Sequence, residues 1–334
     1  MNTEVPTRTH THRCFSMEKH ISEWKEASST EISCSHEVQN NWIQAQDSLK
    51  GRLVAEDDFT WQLPNSEKQT PTAEEEEEEE ECGALKYVGG VDMSFSKDDQ
   101  SIACATLVVL DLQTLNVVYD DYSVVRLQVP YVPGFLAFRE APVLLELLEK
   151  MKSSSHPFYP QQLLMVDGNG LLHPRGFGLA CHLGVLADLP TIGIGKNLHH
   201  VDGLTQSRVR QLLEPEGKLV EDIITLSGDS RQTLGAAMRS TQGSLKPIFI
   251  SVGHRISLTS AVKIAKMTCK YRVPEPIRQV ISYTFVSTKN CYFVVIFNID
   301  PSTLGSSLFN PKVWLKKGKE SSQFVIKPTF SPLM

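Results

Sequence analysis

An α/β or α+β domain built around a mixed sheet is the fold class the sequence predicts, and three observations predict it. Tyr87 to Phe95, Ile102 to Leu110 and Val117 to Leu127 carry strand-like residues between polar, turn-forming segments and read as a meander. Helical and strand-like runs then alternate: Phe135 to Lys150, Leu163 to Val166, Leu179 to Leu189 and Thr191 to Ile194. With 41% hydrophobic residues in 334, the chain can also bury a substantial core. Consecutive strands followed by alternation favour a sheet flanked by helices.

Taken in order, residues 1–38 are polar and irregular and are expected to be disordered. Asn41 to Leu53 has Trp42, Ala45, Leu49 and Leu53 three and four apart, so a short helix is predicted there, with residues 39–63 joining it to the core. Residues 64–84 hold Pro, Ser, Thr and eight consecutive glutamates at 74–81, and read as a flexible acidic insert. The folded body is placed at 85–280. Within it, Pro247 to Val252 is a strand, and a helix from Ser257 or Thr259 to Lys270 is ended by Pro274 and Pro276. Residues 281–334 carry six lysines against Asp300 and Glu320, an accessory tail of uncertain structure.

The net charge of -6 becomes -6 + 8 = +2 once the glutamate tract is set aside, so charge does not exclude a nucleic-acid partner. Seven cysteines without a close CxxC pair argue against zinc and for free thiols. Cys181 beside His182 suggests a nucleophile and base, but adjacent residues on a helix point apart. The first residues lack an apolar core of signal-peptide length, and Cys291 to Ile299 is too short to cross a bilayer. The expectation is a chain with no membrane association, in the cytoplasm and nucleus, the nucleolus included.

Chemistry is concentrated where apolar runs stop at charged groups. Leu163-Leu164-Met165-Val166 delivers Asp167 to a strand end before Gly168 and Gly170, where the chain can approach a ligand closely. In Tyr87 to Phe95, alternation sets Asp92 and Ser94 opposite Val91, Met93 and Phe95; Asp92 is either a solvated strand aspartate or a hard-metal ligand. Glu140 shares a helical stripe with Leu136, Val143, Leu144 and Leu147, and is satisfied either by Arg139 or by a divalent cation. Three such carboxylates can hold Mg2+, with water and a substrate phosphate completing the octahedron. Lys196 follows Thr191 to Ile194, and His254 follows the strand ending at Val252. Each is either a surface or capping group, or a basic group acting on a phosphate.

Several blocks in one order carry a resemblance to the endonuclease V family of inosine-directed nucleases. They are Gly89 to Phe95, Pro130-Tyr131-Val132-Pro133-Gly134-Phe135-Leu136-Ala137-Phe138-Arg139-Glu140, Asp167 to Gly170 with His173-Pro174-Arg175, Gly193 to Lys196, and Gly253 to Leu258. The resemblance covers about residues 85–280 and implies a ribonuclease-H-like fold with a central mixed sheet flanked by helices. It implies that Asp92, Glu140 and Asp167 hold catalytic Mg2+, for which Mn2+ substitutes, with Lys196 and His254 beside the scissile phosphate. It further implies a strand-separating wedge at Pro130 to Pro133, including Tyr131, and a pocket for the extruded hypoxanthine at Gly134, Leu136, Gly168, Gly170, His173 and Gly195.

The animal-like form of these blocks implies an endoribonuclease that cuts single-stranded RNA at the second phosphodiester bond 3′ to inosine, leaving 3′-hydroxyl and 5′-phosphate ends. A deoxyinosine-directed DNA repair nuclease and a non-catalytic inosine-RNA-binding protein are the rival readings.

Overall fold

The computed structural model describes residues 36–63, 83–97, 99–154, 162–213, 222–241, 244 and 246–283. The expected acidic insert lies almost wholly outside them, as do the tail from 284 and residues 1–35. The described residues include, in chain order, α1 (His36–Lys50), β1 (Tyr87–Phe95), β2 (Ile102–Asp111), β3 (Val117–Arg126), α2 (Leu136–Ser153), β4 (Leu163–Asp167), α3 (Leu179–Ala187), β5 (Thr191–Gly195), α4 (Gln206–Leu213), β6 (Ile223–Ser227), β7 (Thr233–Met238), β8 (Ile248–His254) and α5 (Leu258–Met267). Residues 275–283 are also helical. No helix among the described residues is long and apolar enough to cross a membrane.

The strands form one mixed sheet in the order β3-β2-β1-β4-β5-β8-β7-β6. The expected meander is its first edge: β1, β2 and β3 pair antiparallel, with Asp92 opposite Thr106 and Thr106 opposite Tyr122. β4 and β5 then run parallel to β1, whereas β8 runs antiparallel to β5. Strand alternation sorts the two faces. Val91, Leu107 and Val166 meet Leu144 and Leu147 of α2 and Leu183 of α3 in one layer. Met165, Ile192, Ile194 and Ile250 meet Ala261 and Ile264 of α5 in the other. Helices on both faces leave β1, β4 and β5 buried in the centre, which is why β4 up to Val166 and β5 read as continuous apolar runs.

α1 begins at His36 and ends at Lys50, five residues before and three residues before the limits expected for it. Trp42 stacks on Phe138 of α2 with ring centroids 5.2 Å apart, so the helix does pack on the body. The segment after it is tied down by β8 and α5. Arg255 N donates to Val54 O at 2.6 Å, Asp58 N to Arg255 O at 3.3 Å, and Ser257 N to Asp57 Oδ1 at 2.6 Å. Ser257, the earlier of the two starts expected for this helix, caps α5 by accepting from Ser260 N, and the helix ends at Met267, three residues before the expected Lys270.

Candidate active site

Parallel pairing of β1 and β4 brings two carboxylates together. Val91 pairs with Val166, so Asp92 and Asp167 stand one step further on neighbouring strands, about 5 Å apart in the pairing direction. Ile194 of β5 pairs with Asp167, and Lys196 follows two residues later on the same face; its ammonium bonds Asp167 Oδ2. Glu140, 6% exposed, arrives from α2 in the layer packed on Val91. Asp92 and Asp167 both act on the Glu140 carboxyl, so four sequence-predicted residues share one place.

Their electrostatics follow from that crowding. Burial and then the neighbouring Asp167 push the Asp92 carboxyl up to about 6, against the pull of Lys196 and bonds from the Met93 amide and Ser94 hydroxyl. Burial, then Asp92 and Asp167, push Glu140 up to about 8, against Arg139. Burial also raises Asp167, although Lys196 opposes it. Three acids so placed resist ionising together, and a hard divalent cation reverses that preference; the all-oxygen donor set suits Mg2+ or Mn2+. Among the described residues no group of three or more His, Cys, Asp and Glu side chains is gathered tightly enough to hold a metal ion. Asp167 bonds Lys196 through Oδ2 and keeps Oδ1 on the same carboxylate.

Arg139 does not neutralise Glu140 by a direct bond that would explain its burial. The guanidinium is drawn to Gln100 O and lies 4.7 Å over the Phe95 ring, and its Nε is buried without a hydrogen-bond partner.

The loop after Asp167 is held rigidly against the sheet. Gly168 N donates to Ile194 O at 3.1 Å, Gly170 N to Ser251 Oγ at 2.8 Å and Leu171 N to Val252 O at 2.9 Å. A Cβ on Gly170 would stand 1.9 Å from Val252 O. Gly170 is thus glycine because β8 lies against it, a reason internal to the fold and different from the ligand approach inferred from sequence. Gly195 is buried beside Asn169, whose Oδ1 is itself buried without a partner. His173 accepts from Arg175 N at 3.2 Å, and burial, then His199, Arg175 and Lys50, push its imidazole down to about 4.

On the other side, Tyr131 is 63% exposed and Pro133 is exposed, while Val132 and Phe135 are buried as anchors. Gly134 has φ +83°, a left-handed turn that glycine makes without steric cost, and Leu136 opens α2 half-buried. The Tyr131 turn is therefore a projecting ring on a fixed base.

His254 is not where the sequence reading put it. β8 runs antiparallel, so its end pairs with Thr191, at the start of β5 and the opposite end from Lys196. The ring is buried, its Nδ1 accepts from Val54 N at 3.2 Å, and its Nε2 lies 3.9 Å from Asp188 Oδ1. Burial holds its pKa down at about 4 despite Asp188. It is a clasp for the segment after α1. His254→Ala should cost about 1–3 kcal/mol by stranding the Val54 amide, and leave cleavage per folded molecule near wild type below the melting transition. A thermal melt with a cleavage assay at low temperature checks both; a large loss of cleavage in a stably folded variant would restore the catalytic role.

Cys181 is likewise no nucleophile. Its thiol is fully buried, donates to Val252 O and is pushed up to about 12 by burial. Cys104, Cys181 and Cys269 are free thiols, as expected. Residues missed by sequence reasoning are Gln46, which reaches this region from α1, and Ser251, which anchors Gly170. Ser251 was visible as a polar residue in an apolar strand; Gln46 gave no signal.

Comparison with known proteins matches residues 67–280 to the sequence pattern of the Endonuclease V family. Human Endonuclease V is 45% identical over 242 residues, 71% of this chain and 79% of its own length. The crystal structure of the catalytic domain of human Endonuclease V is similar with a TM-score of 0.68 at 41% identity, covering 77% of this chain and 98% of that one. A Ciona intestinalis Endonuclease V, crystallised with a 24mer DNA containing an inosine followed by a ribo-adenosine, is similar with a TM-score of 0.65 at 30% identity, covering 76% of this chain and 99% of that one.

Proposed function

The chain belongs to the endonuclease V family and is a phosphodiester-cleaving enzyme, and we propose that its substrate is inosine-containing single-stranded RNA, cut at the second phosphodiester bond 3′ to the inosine. The observation that carries the reading is the convergence of Asp92, Asp167 and Lys196 from β1, β4 and β5 with Glu140 from α2, flanked by the exposed Tyr131 turn and the rigid Gly168 loop. An inosine-bearing oligonucleotide with a ribonucleotide after the inosine is what the Ciona relative holds, which supports the substrate class and favours a ribose beside it.

Asp92, Glu140 and Asp167 would hold Mg2+, or Mn2+ in its place. When bound, such an ion polarises the phosphate and lowers the pKa of the attacking water. Lys196, fixed by Asp167, keeps its ammonium at the same edge, where it offsets charge developing on a phosphate. Attack by water leaves a 3′-hydroxyl and a 5′-phosphate, so the neighbouring 2′-hydroxyl takes no covalent part. A 2′,3′-cyclic phosphate as primary product contradicts this.

Tyr131 fits the space left by an extruded base, because its ring projects while Val132 and Phe135 hold the turn. Tyr131→Ala should weaken RNA binding by about tenfold, the scale of one base–aromatic stack, with the carboxylates undisturbed. Fluorescence anisotropy at several RNA concentrations measures it; unchanged affinity and cleavage rule out the wedge. The deciding experiment compares matched inosine-RNA, adenosine-RNA and deoxyinosine-DNA oligonucleotides with Mg2+. Preferred cutting of the first supports the proposal, preferred cutting of the third indicates a DNA enzyme, and binding without cutting indicates a recognition protein.

A further inference from the structure

Two segments read as flanking the base, the Pro130–Gly134 turn and the Gly168–Phe177 loop, are joined through a single arginine. Arg175 N holds His173 Nδ1 at 3.2 Å. The side-chain stem runs past the turn, where a Cβ on Gly134 would stand 3.6 Å from Arg175 Cδ, and the guanidinium lies 5.0 Å over the Phe135 ring. One side chain therefore spans from the loop to the turn.

That arginine is held by α1, which lies outside the residues matched to the family pattern. Gln46 is fully buried; its Oε1 accepts from Arg175 Nε, and its Nε2 donates to Phe177 O at 3.0 Å. Asp47 adds an ion pair to Arg175 at 3.6 Å. One turn earlier, Trp42 stacks on Phe138 and lies 5.9 Å from Phe135. Donor and acceptor of one carboxamide are thus committed to the loop, while its helix is braced on the residues that anchor the turn.

We propose that Gln46 is a positioning residue for base selection: acting through Arg175, it fixes the gap between the Tyr131 turn and the Gly168 loop. The proposal rests on the reading that these two segments flank the extruded base. The physical reason is that selection between similar bases depends on rigid placement of the groups that read the base, since a loosened pocket no longer leaves the wrong base with unpaired polar groups. Gln46 touches neither phosphate nor base, so its effect should fall on affinity and discrimination.

The test uses the full chain with Mg2+ and RNA oligonucleotides that differ only in carrying inosine, guanosine or adenosine. Gln46→Leu keeps the volume and removes both hydrogen bonds. It should raise KM for the inosine RNA about tenfold, and lower the inosine-to-guanosine ratio of kcat/KM about tenfold, with kcat changed less than about threefold. Arg175→Lys should do the same, and the double variant should be no worse than the more affected single one, because both act through one clamp.

Unchanged KM and selectivity overturn the proposal, as does a loss confined to kcat and equal for every RNA, or additive losses in the double variant. If Gln46→Leu melts far below wild type, Arg175→Lys alone decides by the same readout. A wild-type protein that fails to prefer inosine sinks the functional reading; a selective wild type beside an equally selective Gln46→Leu sinks only the role of Gln46.

Discussion

Asp92→Ala should lower cleavage of inosine-containing RNA by about a thousandfold or more while RNA binding persists. The carboxylate stands between Asp167 and Glu140 in charge terms, raising the second and raised by the first. Removing it takes away a candidate cation ligand and one source of repulsion, with no loss of core. The fold should therefore be retained, and in chelator the affinity for RNA should rise, since one negative charge beside the phosphates is gone. Single-turnover cleavage and anisotropy in EDTA measure the two halves. Asp167→Ala should behave alike, although it also frees Lys196. Wild-type turnover by either folded variant counts directly against the assigned site.

Glu140→Gln should inactivate the enzyme and, without divalent ions, stabilise it at alkaline pH. Glu140 has its folded pKa raised from 4.5 to about 8. Its contribution to stability is complete below the unfolded value and is lost as pH rises through about 8, because the native state must then ionise a buried acid beside two others. Chelated wild type should accordingly melt lower at pH 8 than at pH 5. Glutamine removes that dependence and should recover roughly 2–4 kcal/mol at pH 8, or about 5–10 °C in a domain of this size. Mg2+ should raise the melting temperature of wild type at pH 8 and leave the variant almost unmoved. Calorimetry across pH 5–8 decides it: a flat wild-type profile in chelator would show that the three carboxyls do not crowd one another.

The fold's centre was legible in the sequence because its strands are either apolar throughout or cleanly alternating. β1, β2, β4 and β5 are of this kind, and α2 shows its inward stripe directly. The far edge was not. β7 reads Thr-Leu-Gly-Ala-Ala-Met, short of the β-branched and aromatic residues that mark a strand, and is small because Gly235 faces Ile250 O of β8, where a Cβ would come within 2.4 Å. α4 exposes all but Val209 and Leu213 of its eight residues, too narrow a stripe to read.

The same limit explains the site. Asp167 ends and Lys196 follows strands that run parallel to β1, whose Asp92 stands beside Asp167, so the order in sequence translates directly into one edge in space. His254 ends a strand running the other way, and no local pattern shows a strand's direction. Gln46 was hidden for another reason: its partners are 129 and 131 residues away, Arg175 and Phe177.

The clasp between Val54 and His254 closes a loop of 200 residues, and this sets an order of assembly on the ribosome. Asp92, Glu140 and Asp167 can gather once the chain through β4 has emerged, but the segment from Val54 to Asp58 has nowhere to dock until the β8–α5 turn is made. Long-range closures of this kind come late in folding. The partners of α1, Phe138, Arg175 and Phe177, all precede β8, so the helix can seat on the base-flanking segments before the strap that follows it is fastened.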